Sequence, residues 1–209
     1  MKCPLCDGDG CTGLARDRRR VFFTCPGCGL VFVPESSHCT AEEERRRYDL
    51  HDNTALNSGY VRFLTEVADI ASAPLPANAR MLDFGCGREA VLAGLLADRG
   101  RMCDRYDPLY GYPFPADRGC YDAVILCEVI EHCRDVGAAL RETASLLSGN
   151  GIVVIRTQCL PPDGDITRWW YAQDVTHVNF FSPRALEAAA DILGRRLELT
   201  EKSDVFIIR

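Results

Sequence analysis

Leu82-Asp83-Phe84-Gly85-Cys86-Gly87, residues 82–87, is the stretch on which the fold of this chain turns. A short apolar run ends in an acid and opens into a glycine-rich turn, and residues 90–99 follow with helical spacing. Glycines at such a junction let the backbone approach a ligand at the carboxyl edge of a sheet, where the next helix also presents unpaired N–H groups. Outward from it, Arg80–Phe84 reads as a strand, with further strands at Met102–Tyr106, Tyr121–Cys127 and residues 152–157, and a helix over residues 136–147. That alternation predicts an α/β fold with a parallel sheet. Ser148-Gly149-Asn150-Gly151 reads as a turn before the last of these strands. Ser182 before Pro183 is an N-cap with proline at the first helical position, opening a helix that Gly194 closes. Residues 197–200 and 205–208, joined by a tight polar turn, predict an antiparallel hairpin.

The remaining composition bounds the surroundings of that domain. The chain has 209 residues, nearly half of them apolar, enough to bury a core and a small appendage. It has no run of eighteen apolar residues, and the opening MKCPLCDGDG lacks the charged-then-apolar order of a signal peptide, so a cytoplasmic protein without membrane spans is expected. A net charge of -6 argues against broad, salt-driven adhesion to nucleic acid. Local basic clusters stand at residues 16–20 and 45–47; the second follows Glu42-Glu43-Glu44 and reads as a salt-laced helix surface. A second helix is expected over residues 59–71, ended by Pro74 and Pro76.

Four of the twelve cysteines form two pairs, Cys3-x2-Cys6 and Cys25-x2-Cys28, eighteen residues apart and each in a C-P-x-C knuckle. Such knuckles direct four thiolates at one tetrahedral zinc, a closed structural site. Cys11, His38 and Cys39 read as bystanders, and the other cysteines as buried thiols. Three segments follow: a zinc ribbon over 1–35, a helical connector over 36–76, which the resemblance given below implies is a cofactor lid, and the α/β domain over 77–209. The run Arg16 to Arg20, inside the ribbon's long loop, suits contact with RNA phosphates; a scaffold packed on the larger domain is the alternative.

Asp107 ends the second strand, 24 residues after Asp83, where an acid can accept hydrogen bonds from two ribose hydroxyls. With LDFGCG, YDPLY, YDAVILCEVIEH, LLSGNGIVVI and the terminal hairpin, residues 48–209 resemble the class I S-adenosylmethionine-dependent methyltransferases, a Rossmann-like sheet with a terminal antiparallel hairpin. That resemblance implies S-adenosylmethionine held by Asp83, Phe84, Gly85, Cys86, Gly87, Asp107, Cys127 and Tyr60. Two departures stand out. Glu89 occupies the usual position of a third glycine, where it repels the cofactor carboxylate or favours the following helix, and residues 108–119 are too few for a full helix and strand. Tyr48, His51 and Asn53 are similar to a segment preceding the glycine turn in bacterial methyltransferases with N-terminal cysteine pairs, which implies a lid that includes Tyr48 and Tyr60.

Glu128, Glu131 and His132 have spacings that place them on one helical face at the sheet's carboxyl edge. The E-x-x-E-H pattern resembles the metal-binding element of small-RNA terminal 2'-O-methyltransferases, and His177 lies where those enzymes supply another histidine. The resemblance implies a second divalent metal on Glu128, Glu131, His132 and His177, with Mn, Fe, Co or Zn better suited than Mg. Without a metal, His132, His177 and Glu128 are the catalytic candidates that orient or deprotonate an acceptor. In the long connection over residues 160–181, Trp169, Trp170 and Tyr171 are expected to form the substrate wall, and Phe180 and Phe181 to anchor the core. The expected function is methyl transfer to an oxygen or nitrogen of a small molecule; the alternatives are an RNA methyltransferase that uses the ribbon, and a non-enzymatic zinc-ribbon adaptor whose cofactor pocket Glu89 has spoiled.

Overall fold

The computed structural model describes residues 1–162 and 164–209. Its larger sheet has six strands in the order β5-β4-β6-β7-β10-β9, where β4 is Arg80–Phe84, β5 Met102–Tyr106, β6 Tyr121–Cys127, β7 Leu147–Arg156, β9 Leu197–Leu199 and β10 Val205–Ile208. The first four pair in parallel, and β10 enters antiparallel between β7 and β9, as the hairpin pattern requires. Strand residues alternate between two cores, because successive side chains point to opposite faces. Leu82, Val124, Leu126, Val153, Ile155, Phe206 and Ile208 pack under α4 (Val136–Leu146) and α5 (Pro183–Ile192). Met81, Ala123, Ile125, Val154, Val205 and Ile207 pack under α2 (Ser58–Ser72) and α3 (Val91–Asp98).

Between β5 and β6 the described residues form only an isolated bridge, Asp107 to Tyr112, so β5 is an edge strand and the third strand of the ordinary order is missing. The expected turn at 148–151 is instead part of β7. Tyr121 pairs with Leu147 and Ala123 with Ile152, so the extra residues are accommodated as a bulge, and Gly151 is required because a Cβ there would lie 2.5 Å from Tyr121 O.

The N-terminal segment is not mechanically separate. Its strands β1 (Thr12–Arg16), β2 (Val21–Thr24) and β3 (Val31–Phe32) continue into β8 (Asn179–Phe180), forming a four-stranded sheet with the rest of the chain. Leu5, Leu30 and Phe32 share the core under α4 and α5, and Gly137 N–H donates to Pro4 O at 2.8 Å. The connector holds α1 (Ala41–Tyr48), opened by a capping box between Thr40 and Glu43, and then α2.

Candidate active site

The glycine turn is stapled to the neighbouring strand: Gly85 and Cys86 N–H both donate to Tyr106 O, at 2.7 and 3.1 Å. Gly85 has φ +78°, and a Cβ would stand 2.6 Å from Val129 Cγ2, so no other residue fits there. Asp107 closes the turn. Its Oδ2 accepts Gly87 N–H at 2.9 Å and its Oδ1 accepts Leu109 N–H at 2.9 Å.

Asp83 sits behind this turn rather than on the cavity wall. It is buried, accepts Ala93 N–H of α3 at 3.2 Å, and burial pushes its pKa up to about 7. Its place is thus structural support for the helix that the turn opens, a refinement of the direct cofactor contact expected from sequence. Phe84, Gly85, Cys86, Gly87, Asp107, Tyr60 and Cys127 all line one cavity of about 910 Å³.

Glu128, His132 and His177 line that same cavity. The helical face expected for Glu128 to His132 does not form. Glu128 has φ +54°, and the segment proceeds by three-residue turns, His132 N–H to Val129 O (3.0 Å) and Cys133 N–H to Ile130 O (3.4 Å). α4 begins later, capped by Asp135, which accepts Ala138 N–H at 2.7 Å. The carbonyls that a helix would use are claimed by the loop carrying His177: Val178 and Asn179 N–H donate to Glu131 O, and the Asn179 amide donates to Ile130 O (3.3 Å) and Cys133 O (2.6 Å).

The turn nonetheless brings the chemistry together. His132 Nδ1 lies 3.1 Å from Thr176 O and His177 Nδ1 2.8 Å from Tyr171 O. A carbonyl only accepts, so each imidazole carries its proton on Nδ1 and keeps the Nε2 lone pair free. Burial lowers their pKa values to about 3 and about 4, with each cation also disfavoured by neighbouring positive groups. Glu131, His132 and His177 offer ligand atoms all within 4.8 Å of one another. Glu128 lies outside that trio but is joined to it through Tyr171, whose hydroxyl is 2.6 Å from Glu131 Oε1 and 3.2 Å from Glu128 Oε2. Burial raises both carboxyls, that of Glu131 strongly. Glu128 Oε1 is buried without a hydrogen-bond partner among the described residues.

Trp169, Trp170 and Tyr171 do not form the expected substrate wall. Trp169 packs between Tyr171 and Phe180, Trp170 is 68% exposed away from the cavity lining, and Tyr171 is buried beneath the two glutamates. Apolar burial drew Trp169 and Tyr171 in. Phe180 and Phe181 do anchor the core. The aromatic lining comes instead from Tyr48, Tyr60, Phe63, Phe84, Tyr106 and Tyr110.

From the connector, Tyr48, His51, Asn53 and Tyr60 stand on the cavity wall, with the Tyr48 ring 5.2 Å from His132. Glu89 lines the cavity just before α3. It accepts Ala55 N–H at 3.3 Å, while Arg88 pairs with Asp49, and both contacts tie the connector to the glycine turn. Asp174, not foreseen, holds Arg47 at 2.9 Å and accepts Thr176 N–H and hydroxyl; burial opposes its ionisation, but these bonds keep its carboxyl below the usual range. The only sequence sign of it is the D-x-T pattern of an Asx turn.

At the other metal candidate, Cys3 and Cys28 Sγ lie 3.6 Å apart, Cys6 and Cys25 Sγ 3.7 Å apart, and all four within 4.8 Å. Tetrahedral zinc with Zn–S of about 2.3 Å sets sulfurs about 3.8 Å apart, so these residues fit that ion. The hydrogen bond between Cys3 and Cys28 lowers the Cys3 pKa to about 5 and raises that of Cys28, so the two thiols share one proton. Cys11, His38 and Cys39 turn instead to the carbonyls of Gly8, Val33 and Val175.

A glycine turn, an acid after the second strand and an antiparallel β10 at one side of the sheet define a class I methyltransferase. The chain belongs to the family described as "Methyltransferase domain", which matches residues 44–197. No curated protein matches it. Solved structures share the fold. An O-methyltransferase family protein from Burkholderia thailandensis is 17% identical with TM-score 0.56, covering 83% of this chain and 64% of its own. CalO1, a methyltransferase in calicheamicin biosynthesis solved with S-adenosylhomocysteine, is 15% identical with TM-score 0.50, covering 70% of this chain and 53% of its own. This chain thus spans less than two thirds of either. The 1,6-didemethyltoxoflavin-N1-methyltransferase of Burkholderia thailandensis, solved with its acceptor and S-adenosylhomocysteine, is 13% identical with TM-score 0.56, covering 94% of this chain and 96% of its own. No helix among the described residues is long and apolar enough to cross a membrane.

Proposed function

We propose that this enzyme transfers the methyl group of S-adenosylmethionine to an oxygen or nitrogen of a small molecule. The observation that carries the reading is the shared cavity: the glycine turn and Asp107 line it together with the free Nε2 faces of two neutral imidazoles. The cofactor supplies an electrophilic methyl on a sulfonium. Phe84, Gly85, Cys86, Gly87, Asp107, Tyr60 and Cys127 would hold it, with Asp83 stiffening the turn from behind. His132 or His177 would orient the acceptor and take its proton, which an unprotonated Nε2 can do and an imidazolium cannot. Glu128, on the cavity wall, would help to orient the acceptor.

Glu131, His132 and His177 also fit a divalent transition ion, since two imidazoles with a carboxylate favour Mn, Fe, Co or Zn over Mg, and Glu128 is joined to them through Tyr171. Such an ion would polarise the acceptor oxygen in place of the base. Cys3, Cys6, Cys25 and Cys28 would hold a separate structural zinc.

A small acceptor is favoured over RNA because the cavity wall carries eight carboxylates against two arginines, and because Arg20 of the basic run is buried. The acceptor-bound N-methyltransferase neighbour that covers nearly this whole chain supports the same choice. Calorimetry with S-adenosylhomocysteine is the first test, and absence of binding refutes the cofactor assignment. Elemental analysis should show one zinc that Cys25→Ser removes; a second metal lost in His177→Ala would establish the Glu131-His132-His177 site, and a single metal would leave these residues as base and scaffold. Salt-dependent retention of RNA by the pure protein would restore the RNA alternative.

A further inference from the structure

The basic run of the ribbon does not behave as one surface. Arg16, Arg18 and Arg19 lie outside the core, but Arg20 is only 5% exposed. Its turn is fixed locally, since Asp17 Oδ1 accepts both Arg19 and Arg20 N–H at 2.6 Å and Asp17 N–H donates to Arg20 O at 3.0 Å. The side chain then crosses to the loop after β7. Nη1 donates to His177 O at 2.8 Å and Asp174 O at 3.3 Å, and Nη2 donates to Ala172 O. The guanidinium also lies 5.2 Å from the centre of the Phe22 ring.

These three carbonyls bracket the functional loop. Residue 171 provides the carbonyl that fixes the His177 imidazole, and 176 the one that fixes His132. Immediately beyond them the loop is gripped a second time: Val33 N–H donates to Val178 O at 3.0 Å, Phe32 pairs with Asn179 and Val31 with Phe180. The same stretch reaches the opposite way, with Val178 and Asn179 N–H on Glu131 O. A continuous series of hydrogen bonds thus runs from the ribbon through the His177 loop to the glutamate turn. At its ribbon end, β2 runs into Cys25 and β3 begins three residues after Cys28. The cysteine knuckle therefore joins directly onto both strands, with Arg20 at the head of β2.

We infer that Arg20 is a positioning residue: it holds the His177 loop so that the His177 imidazole faces His132 and Glu131, and it makes that arrangement depend on zinc in the cysteine knuckle. The inference rests on the proposed role of these imidazoles at the methyl acceptor. A planar guanidinium is suited to the task because its fixed fork of donors can serve several carbonyls at once. A lysine ammonium keeps the charge but not that fork.

The test uses the full-length, zinc-loaded chain labelled with 15N-histidine, assigned with single His→Gln variants of its four histidines. Wild type should show His177 with its proton on Nδ1. Arg20→Met should convert that signal to a mixture of both tautomers, Arg20→Lys should fall between, and the His38 signal and S-adenosylhomocysteine affinity should stay as in wild type. A general loss of stability would move all of these together. Removing zinc from wild type with a chelator should reproduce the Arg20→Met spectrum and add nothing to that variant. An unchanged His177 tautomer in both Arg20 variants overturns the positioning role. Survival of the wild-type tautomer without zinc, or collapse of the whole spectrum with loss of cofactor affinity, overturns the zinc dependence. If wild type fails to bind S-adenosylhomocysteine, the methyltransferase cofactor assignment falls, while the tautomer comparison still decides the role of Arg20.

Discussion

Replacing Asp83 with asparagine should make the folded chain more resistant to unfolding as the pH rises. The carboxyl is 2% exposed and meets one donor, the Ala93 N–H, while Asp107 adds like charge nearby. Burial therefore raises its pKa from 3.8 to about 7. A raised folded-state pKa means that the folded chain binds the proton more tightly than the unfolded chain. The favourable contribution is complete below pH 3.8 and is lost as pH rises through about 7. At about 1.36 kcal/mol per unit, ionisation costs the folded state about 2 kcal/mol at pH 5 and about 4 kcal/mol at pH 8. An asparagine side chain would keep the carbonyl that accepts Ala93 N–H and never ionise. Its extra amide donor adds a cost independent of pH, so the readout is the change between two pH values. Urea unfolding without cofactor should show Asp83→Asn gaining about 2–3 kcal/mol on wild type from pH 5 to pH 8. A difference that stays constant, or one that moves in favour of wild type, refutes the reasoning.

Other substitutions test the close contacts. Gly137→Ala places a Cβ 2.6 Å from Leu5 O, so the ribbon must shift off α4; a loss of about 1–3 kcal/mol should lower Tm by about 3–10 °C in a calorimetric scan. Gly85→Ala combines φ +78° with a 2.6 Å approach to Val129 and should reduce S-adenosylhomocysteine affinity at least about tenfold by calorimetry, about 1.4 kcal/mol. Tyr171→Phe deletes the hydroxyl that bridges Glu128 and Glu131 and should cost about 1–3 kcal/mol in urea unfolding, because it leaves Glu131 Oε1 buried without its donor.

The large sheet was legible because its signals are local. Alternation in β4, β6, β7 and β10 sorts side chains between two cores, and the strand-turn-helix at Asp83 to Gly87 carries its own geometry in the glycines. The cysteine pairs were equally local. The active-site turn was not. E-x-x-E-H has helical spacing, yet Asn179, 46 residues beyond Cys133, takes the carbonyls that a helix would need. Arg20 reads as one more surface cation until its partners 152 to 157 residues away are known. Trp169 and Tyr171 carry the composition of a binding wall, but what decides their place is packing against Phe180 and under Glu131. Long-range polar partners override local pattern wherever a loop is held by other loops.

The same long-range packing governs what the ribbon contributes to folding. Composition marks a boundary near residue 35, but Leu5, Phe22, Leu30, Val31, Phe32 and Val33 are each at most 3% exposed, and their partners include Phe180, Tyr171 and α5. Burying such side chains contributes about 1.5–3 kcal/mol each, so the contact is worth on the order of 10 kcal/mol, comparable to the whole stability of an ordinary domain. A chain reduced to residues 36–209 would also expose the edge of β8 and release the carbonyls that Arg20 holds. It should therefore show no cooperative thermal transition and no S-adenosylhomocysteine binding, although the family match begins only at residue 44. A folded, cofactor-binding truncation would mean that the six-stranded sheet stands alone and that the ribbon is an accessory rather than part of the core.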